Sequence, residues 1–412
     1  MTALVLAIFV LAYLGMALGR LPGLALDRSG IAIVAAIAVA ASGAVPEGRL
    51  LGAIHFPTLI LLFSLMILSA RFAAAGFYDE AAAWIARSSG RPALLLAFTV
   101  AIGGALSAVL VNDIVVFVMT PLLARGLAAR GLDPRPFLAG LAGAANAGSA
   151  ATLIGNPQNI VIGQVGSLDF WAFAAVCAPP ALASLVVVYV CVLIAWRGSL
   201  RAPAPGAVLP DPPAPTFLDR RQTAKAGLAT LALLALFATP IPRELAALAV
   251  AGVLLTSRRY ATRTMLASVD WPLLLLFTGL FVVNDALAAT GLPADALAAL
   301  AERGWLPDRL AVLAPGALAL SNTIGNVPAV VMLLAVWPQM PAGALHALAL
   351  MSTLAGNFLL VGSIANLIVA ERAQSAGARF GFADHARAGI PMTLGSMALA
   401  AAWLVAGGWV SW

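Results

Sequence analysis

Two short polar clusters interrupt long apolar runs in this chain, and their residue types suit ion chemistry. The first reads Leu106-Ser107-Ala108-Val109-Leu110-Val111-Asn112-Asp113, and the second Leu320-Ser321-Asn322-Thr323-Ile324-Gly325-Asn326-Val327-Pro328. One apolar segment downstream of each comes another break, Gly155-Asn156-Pro157-Gln158-Asn159 and Gly362-Ser363-Ile364-Ala365-Asn366. Hydroxyls and amides are neutral donors and acceptors. Such a set strips water from a small ion without burying a full opposite charge. Asp113 is the one acid placed firmly at membrane depth. Intramembrane carboxylates are costly and serve ion pathways or proton relays, which makes Asp113 a candidate proton or sodium site; the alternative is a carboxylate that caps backbone N–H groups. Asp285 falls near the end of its span and reads as interfacial, and Glu371-Arg372 as a solvated helix end.

Other chemistries lack their residues. His55, His346 and His385 have no metal-ligand spacing; His55 and His385 read as loop residues, and His346 as a packing or interfacial residue at the start of a span. No nucleotide-binding P-loop, HExxH or GxSxG motif is present, so neither an enzyme nor an ATP-driven pump is expected. Cys177 and Cys191 share one apolar segment. At ~1.5 Å rise per residue they stand roughly 21 Å apart, beyond the ~7 Å Cα separation a disulfide tolerates.

The elements that must hold these clusters are membrane helices. The chain is 62% hydrophobic and 10% charged, against about 25% charged in soluble domains. About ten spans of roughly 20 residues fit its length. The net charge of +6 sits in short loops rather than on a polar face, so it reads as a topology signal and not as a nucleic-acid surface. Met1 to Gly19 has no basic n-region, which suits a first span with its N-terminus outside rather than a cleaved signal peptide.

Apolar segments fall near 2–19, 30–46, 57–76, 92–124, 137–163 and 172–196, then near 223–238, 244–256, 272–289, 310–337, 344–370 and 389–410. Between the sets lies a Pro-rich linker with Pro203, Pro205, Pro210, Pro212, Pro213 and Pro215. The sets align: Arg28 with Arg243, Phe56-Pro57 with Trp271-Pro272 and Gly76 with Gly291 at 215 residues; Ser107 with Ser321 and Asn112 with Asn326 at 214; Gly155 with Gly362 and Asn159 with Asn366 at 207. Steady offsets point to an internal duplication, with a first repeat over 1–197, a linker over 198–221 and a second repeat over 222–412.

Segments 92–124 and 310–337 are too long for one span and break mid-way. Arms of ~14 residues cover roughly 20 Å against a ~30 Å hydrocarbon core, which predicts re-entrant hairpins. Five full crossings and one hairpin per repeat make the second repeat inverted. On that topology 19 of the 23 Lys and Arg residues share one side and Arg49, Arg243, Arg303 and Arg309 the other, a strong positive-inside signal. The predicted fold is an all-α polytopic membrane protein of two inverted repeats, each with five transmembrane helices (one interrupted) and one re-entrant hairpin. Both termini lie outside a bacterial-type inner membrane, and the linker is cytoplasmic.

These motifs resemble the ion transporter superfamily of arsenite permeases, NhaD-type antiporters, citrate transporters and divalent anion/sodium symporters. Ser321-Asn322-Thr323 looks like the symporters' hairpin-tip signature, Asn112-Asp113 like the Asn-Asp of arsenite permeases, and Asn326-Val327-Pro328 like their second-hairpin element. Gly155-Asn156-Pro157-Gln158-Asn159 is similar to a subgroup of anion permeases. The first hairpin departs, with Ser107-Ala108-Val109 in place of Ser-Asn-Thr. The resemblance implies an elevator mechanism, in which hairpins and interrupted spans slide against a scaffold, and a homodimer.

The expected function is secondary active transport of a small anion or oxyanion-like solute, coupled to protons or sodium and needing no cofactor. The residues expected to line the site are Ser107, Asn112, Asp113, Gly155, Asn156, Asn159, Ser321, Asn322, Thr323, Asn326, Gly362, Ser363 and Asn366. Sodium/proton exchange, with Asp113 binding the cation directly, is the alternative; an uncoupled ion channel ranks below it.

Overall fold

The computed structural model describes residues 1–19, 23–88, 91–200 and 217–412, so the prolines of the linker lie outside the described residues. These residues form two series of ten α-helices. The first comprises α1 (Thr2–Leu18), α2 (Arg28–Ala41), α3 (Glu47–Ala53), α4 (Phe56–Ala74), α5 (Phe77–Arg87), α6 (Pro92–Val109), α7 (Asn112–Ala128), α8 (Arg135–Ser149), α9 (Pro157–Val165) and α10 (Phe170–Ala195). The second comprises α11 (Arg220–Leu236), α12 (Arg243–Leu255), α13 (Thr262–Ala267), α14 (Trp271–Ala288), α15 (Leu292–Glu302), α16 (Leu310–Thr323), α17 (Asn326–Val336), α18 (Ala342–Ala355), α19 (Ile364–Ser375) and α20 (Phe382–Ala406). The described residues contain no β-strand. Of these helices, α4, α6, α10, α14 and α20 are long and apolar enough to cross a membrane singly.

The series pair crosswise. α2 packs on α14 while α12 packs on α4, and α1 meets α14 while α11 meets α4. α6, α7, α9, α16, α17 and α19 gather around α8, α10, α18 and α20, with α6–α7 and α16–α17 as helical hairpins leaning on α8 and α18. Small residues let backbones approach here, as in membrane helices generally. A Cβ on Gly148 of α8 would collide with the Gly104 carbonyl of α6, and every residue of α8 from Pro136 to Ser149 is buried.

Contacts show which helix ends lie together. At one end Arg49 of α3 meets Asp285 of α14 at 3.4 Å, and the Leu310 N–H donates to the Ser411 carbonyl. At the other, Arg71 in the last turn of α4 donates to Gln222 of α11 at 2.7 Å. There too Arg130, beyond α7, donates to the carbonyls of Ala86 and Ser88 at 2.7 and 2.9 Å, and Arg135 meets Asp384 at 3.4 Å.

Several details differ from the sequence reading. The first hairpin has arms of 18 and 17 residues, not ~14, because α6 stays helical through Ser107, Ala108 and Val109, which leaves only Leu110 and Val111 as the break, and α7 runs on past the apolar stretch to Ala128. The intervals read as loops hold α3, α5, α13 and α15. α5 carries Asp79 and Glu80 in its first turn and buries Tyr78, Ala82, Ile85 and Ala86; as an amphipathic helix of 11 residues it is too short to register as a span. His385 is no loop residue: it lies fully buried in α20, held by the Asn357 carbonyl at 2.9 Å from its Nε2. Its helix starts at Phe382, ahead of the apolar stretch, so hydropathy alone placed it outside.

Candidate functional site

The four breaks meet at the ends of short helices. Asn112 opens α7, Asn326 opens α17, Pro157 opens α9 and Ile364 opens α19. Each opening leaves N–H groups without an intrahelical partner, and each preceding helix leaves carbonyls. Helix N-termini attract anions and C-termini cations, so one locus offers both.

Each hairpin tip is tied to the break beside it. In the first half the Asn112 N–H donates to the Gly155 carbonyl at 3.0 Å, and Thr152 Oγ1 donates to the Ala108 carbonyl at 2.5 Å. In the second, Asn322 Nδ2 donates to the Ala355 carbonyl at 2.9 Å while its Oδ1 accepts from the Leu359 N–H at 3.1 Å. Ser321 Oγ donates to the Ser352 carbonyl at 3.4 Å. Glycine is required at both breaks. A Cβ on Gly155 would strike the Ser149 carbonyl, and one on Gly362 the Asn322 amide oxygen.

A buried polar lattice joins the halves. Asn146 Nδ2 donates to Asn357 Oδ1 at 2.8 Å and to Asn366 Oδ1 at 3.1 Å, and Asn146 Oδ1 accepts from Ser363 Oγ at 2.9 Å. Thr353, aligned with Asn146 at the 207-residue offset, does the reciprocal work. Its Oγ1 accepts from Gln158 Nε2 at 3.1 Å and Asn156 Nδ2 at 3.4 Å. Asn156 also caps α9, its Oδ1 accepting from the Asn159 N–H at 2.9 Å. Asn159 and Asn366 each bind back to carbonyls of their own break, Thr152 at 3.0 Å and Gly356 at 2.8 Å.

Of the expected residues, Asn156, Asn159, Ser363 and Asn366 belong to this lattice, and Ser107, Asn112, Gly155, Ser321, Asn322, Asn326 and Gly362 surround it. Two buried atoms in the first half, Ser107 Oγ and Asn112 Oδ1, have no hydrogen-bond partner. Unsatisfied buried polar atoms cost about 1–3 kcal/mol each, and a bound cation is the kind of ligand that satisfies a hydroxyl and an amide oxygen alike. Asp113 is buried at the start of α7. Asn326 Oδ1 accepts from the Val327 N–H at 2.9 Å. Thr323 stands apart: it is exposed, and its hydroxyl turns back to the Ala319 carbonyl at 2.9 Å. Asn146, Thr353 and Asn357 stand outside the motifs the sequence offers, and Gln158 lies in one of them without having been expected to line the site. The available signal was the 207-residue offset, which sets Asn146 opposite Thr353 inside otherwise apolar runs.

Access differs at the two ends. At the end with Arg71 a cleft of about 570 Å³ is lined by Asp27, Arg28, Asp270 and Glu371, together with Val361 and Ile364, which flank Gly362-Ser363. Burial raises the Asp270 carboxyl above its ordinary value, the capping bond from the Leu273 N–H lowers it, and nearby Asp27 raises it further; the net shift is upward. At the opposite end the cavity beside His55, Asn284 and Asp285 is about 230 Å³. There Arg243 donates to the carbonyls of Leu168 and Gly163 at 2.6 and 2.8 Å, and Gln164 donates to Glu244 at 3.4 Å. Arg28, the aligned partner of Arg243, instead donates to the Met16 carbonyl at 3.1 Å and lies against Gly325 at the tip of the second hairpin.

Residues 5–355 match the citrate transporter family CitMHS. The chain belongs to that family. It is 30% identical over 422 residues to an uncharacterized transporter of Mycobacterium tuberculosis, covering 98% of both chains. It is 31% identical over 325 residues to the inner membrane protein YbiR of Escherichia coli, covering 77% of this chain and 79% of that one. A silicon efflux transporter of rice, Oryza sativa subsp. japonica, is 27% identical over 446 residues, covering 90% of this chain and 91% of that one. The fold is similar to the crystal structure of the YdaH transporter of Alcanivorax borkumensis, with a TM-score of 0.58 at 14% identity over 99% of both chains. This member of the citrate transporter family is therefore a multi-pass membrane transporter and not an enzyme.

Proposed function

We propose that this chain is a secondary active transporter for a small anionic or oxyanion-like solute, coupled to a proton or sodium gradient. One observation carries the reading. Ser107 Oγ and Asn112 Oδ1 are left unpaired next to Asp113, where broken helices from both halves meet in a neutral polar lattice. The site offers N–H groups and amides to an anion and a carboxylate with carbonyls to a coupling cation. The relatives fit an oxygen-rich solute, since the family is described by citrate and the rice protein by silicon.

The two series are read as inverted repeats over 1–197 and 222–412, joined by the linker over 198–221. Crosswise packing of α2 with α14 and α12 with α4 supports this, as does the 19-to-4 split of basic residues. That split supports a cytoplasmic Arg71 end and termini on the outside. An elevator is the motion proposed. α1, α2, α4, α11, α12 and α14 form a scaffold, the hairpins and interrupted spans the moving unit, and a homodimer the working assembly. The wide cleft at one end and the Arg243 anchor at the other correspond to a cytoplasm-open state.

Sodium/proton exchange is the second reading, favoured because no hydrogen bond or ion pair engages the Asp113 carboxylate among the described residues. The test is uptake into proteoliposomes of citrate, succinate, sulfate, arsenite and sodium under imposed pH and sodium gradients. Gradient-driven solute flux that Asp113→Asn abolishes in a folded protein is expected. Unchanged flux in that variant would sink the coupling role, and sodium flux without any solute would favour the exchanger.

A further inference from the structure

A second polar site lies outside the buried lattice, where α4, α11 and the end of α12 meet. A cavity of about 630 Å³ there is lined by Arg71, Lys225, Arg258 and Arg259 at its polar end and by Leu228 and Val253 along its side. Lys225, Arg258 and Arg259 are exposed. Arg71 is not: only 4% of it is accessible, yet its Nε and Nη1 have no hydrogen-bond partner. Its Nη2 is fixed by Gln222 at 2.7 Å, and its guanidinium lies 4.7 Å from the centre of the Tyr260 ring. Asp219 at this corner is paired with Arg259 at 3.0 Å. A planar guanidinium held from two sides, with unpaired N–H groups and further cations beside it, is a seat for a phosphate.

We infer that this cleft binds an anionic phospholipid, its headgroup phosphate on Arg71, Lys225 and Arg258 and its acyl chains along α11 and α12. Leu228 and Val253 are 67% and 72% exposed, so the polar end opens directly onto an apolar, outward-facing wall. A free phosphate has no use for that wall; a lipid does. The repeat alignment adds an independent argument. At the 215-residue offset Arg71, Lys225, Arg258 and Arg259 correspond to Ala286, Val10, Gly43 and Ala44. None of the four aligned positions carries a cation, so this cluster is not part of what the two halves share. Its cations belong to one membrane face, as basic pockets for anionic headgroups do.

The test is native mass spectrometry of the full-length protein in mild detergent, titrated with phosphatidylglycerol and, separately, phosphatidylcholine. Phosphatidylglycerol should bind at least tenfold more tightly, and each basic side chain removed should weaken it roughly fivefold. Arg71→Gln is the direct variant. Lys225→Ala with Arg258→Ala, both exposed, is the variant that leaves the helix packing intact. Equal binding of the two lipids, or a preference unchanged in the double variant, overturns the proposal. So does displacement of phosphatidylglycerol by equimolar inorganic phosphate, which would make the ligand a soluble anion. Protection of Lys225 from amine labelling that rises with protein concentration and ignores lipid would give the cleft to a second copy instead.

Discussion

Arg243 ties the proposed scaffold to the proposed moving unit at one end of the molecule. Its guanidinium bridges α12 of the proposed scaffold to the end of α9 in the proposed moving unit, through bonds of 2.6 and 2.8 Å to the carbonyls of Leu168 and Gly163. Hydrogen bonds to charged groups contribute about 1.5–3 kcal/mol each, but Arg243 is only partly buried, and screening cuts that figure. A total of about 2–3 kcal/mol remains, and 1.4 kcal/mol is tenfold in an equilibrium. Arg243→Ala should therefore shift the balance between the two access states by roughly 30- to 150-fold against the state with the open cleft. The assay is labelling of Val361→Cys, which lines that cleft, by a membrane-impermeant maleimide in a background lacking Cys177 and Cys191. Labelling should fall sharply in Arg243→Ala and only partly in Arg243→Lys, since an ammonium cannot fork across two carbonyls. If Val361→Cys reacts equally fast in all three folded proteins, Arg243 is no latch.

Two further outcomes follow from the buried lattice and the surface. Asn146→Leu removes three bonds and strands Ser363 and the amides of Asn357 and Asn366, which should cost about 2–4 kcal/mol; an unchanged thermal midpoint in detergent would contradict this. Asp133 lies outside the spans: burial raises its carboxyl, but bonds from the Arg135 side chain and N–H outweigh that and hold it below the ordinary value. Its contribution is thus full above about pH 4 and lost as pH falls through the lowered value, so Asp133→Asn should narrow the stability difference between neutral and acid pH, by no more than about 1 kcal/mol.

Polar residues inside apolar runs were the readable part of the site, because water, lipid and protein treat an amide so differently that its presence in a span needs a reason. That logic singled out Asn112, Asn156, Asn159 and Asn366, of which Asn156, Asn159 and Asn366 join the buried lattice, and the paired offsets set one half of the sequence against the other. It failed where the signal is geometric. Thr323 shares the Ser-Asn-Thr cluster, but helical periodicity turns its side chain outward from Ser321 and Asn322, onto the exposed face. His385 was hidden by the polar turn around it, Phe382-Ala383-Asp384-His385, which hydropathy reads as a loop although the helix extends through it. Which half each amide binds was also beyond reach. Asn146 serves the break of the opposite half, and crosswise contacts of that kind come from the fold's topology, not from local pattern.

The unequal partners of Arg28 and Arg243 contain a measure of motion. If the halves are inverted repeats, each arginine should visit in one state what its counterpart visits in the other. Arg243 now sits at Gly163, near the end of α9, while Arg28 sits at Gly325, on a hairpin tip. In the exchanged state Arg28 would meet Ala370, the residue aligned with Gly163, and Arg243 would face Val111 at the other tip. That tip is level with Gly155, to which the Asn112 N–H is bonded at 3.0 Å. From Pro157, where α9 opens just past Gly155, to Gly163 is six helical residues, or about 9 Å at 1.5 Å per residue, and this sets the expected stroke of the moving unit past the scaffold. Paired cysteines at Arg28 and Ala370 should then cross-link only when a solute or gradient drives the cleft shut, and those at Arg28 and Gly325 only when it is open. Simultaneous cross-linking of both pairs under one condition would rule out a rigid slide of this size, and would leave local hairpin opening as the way the site is reached.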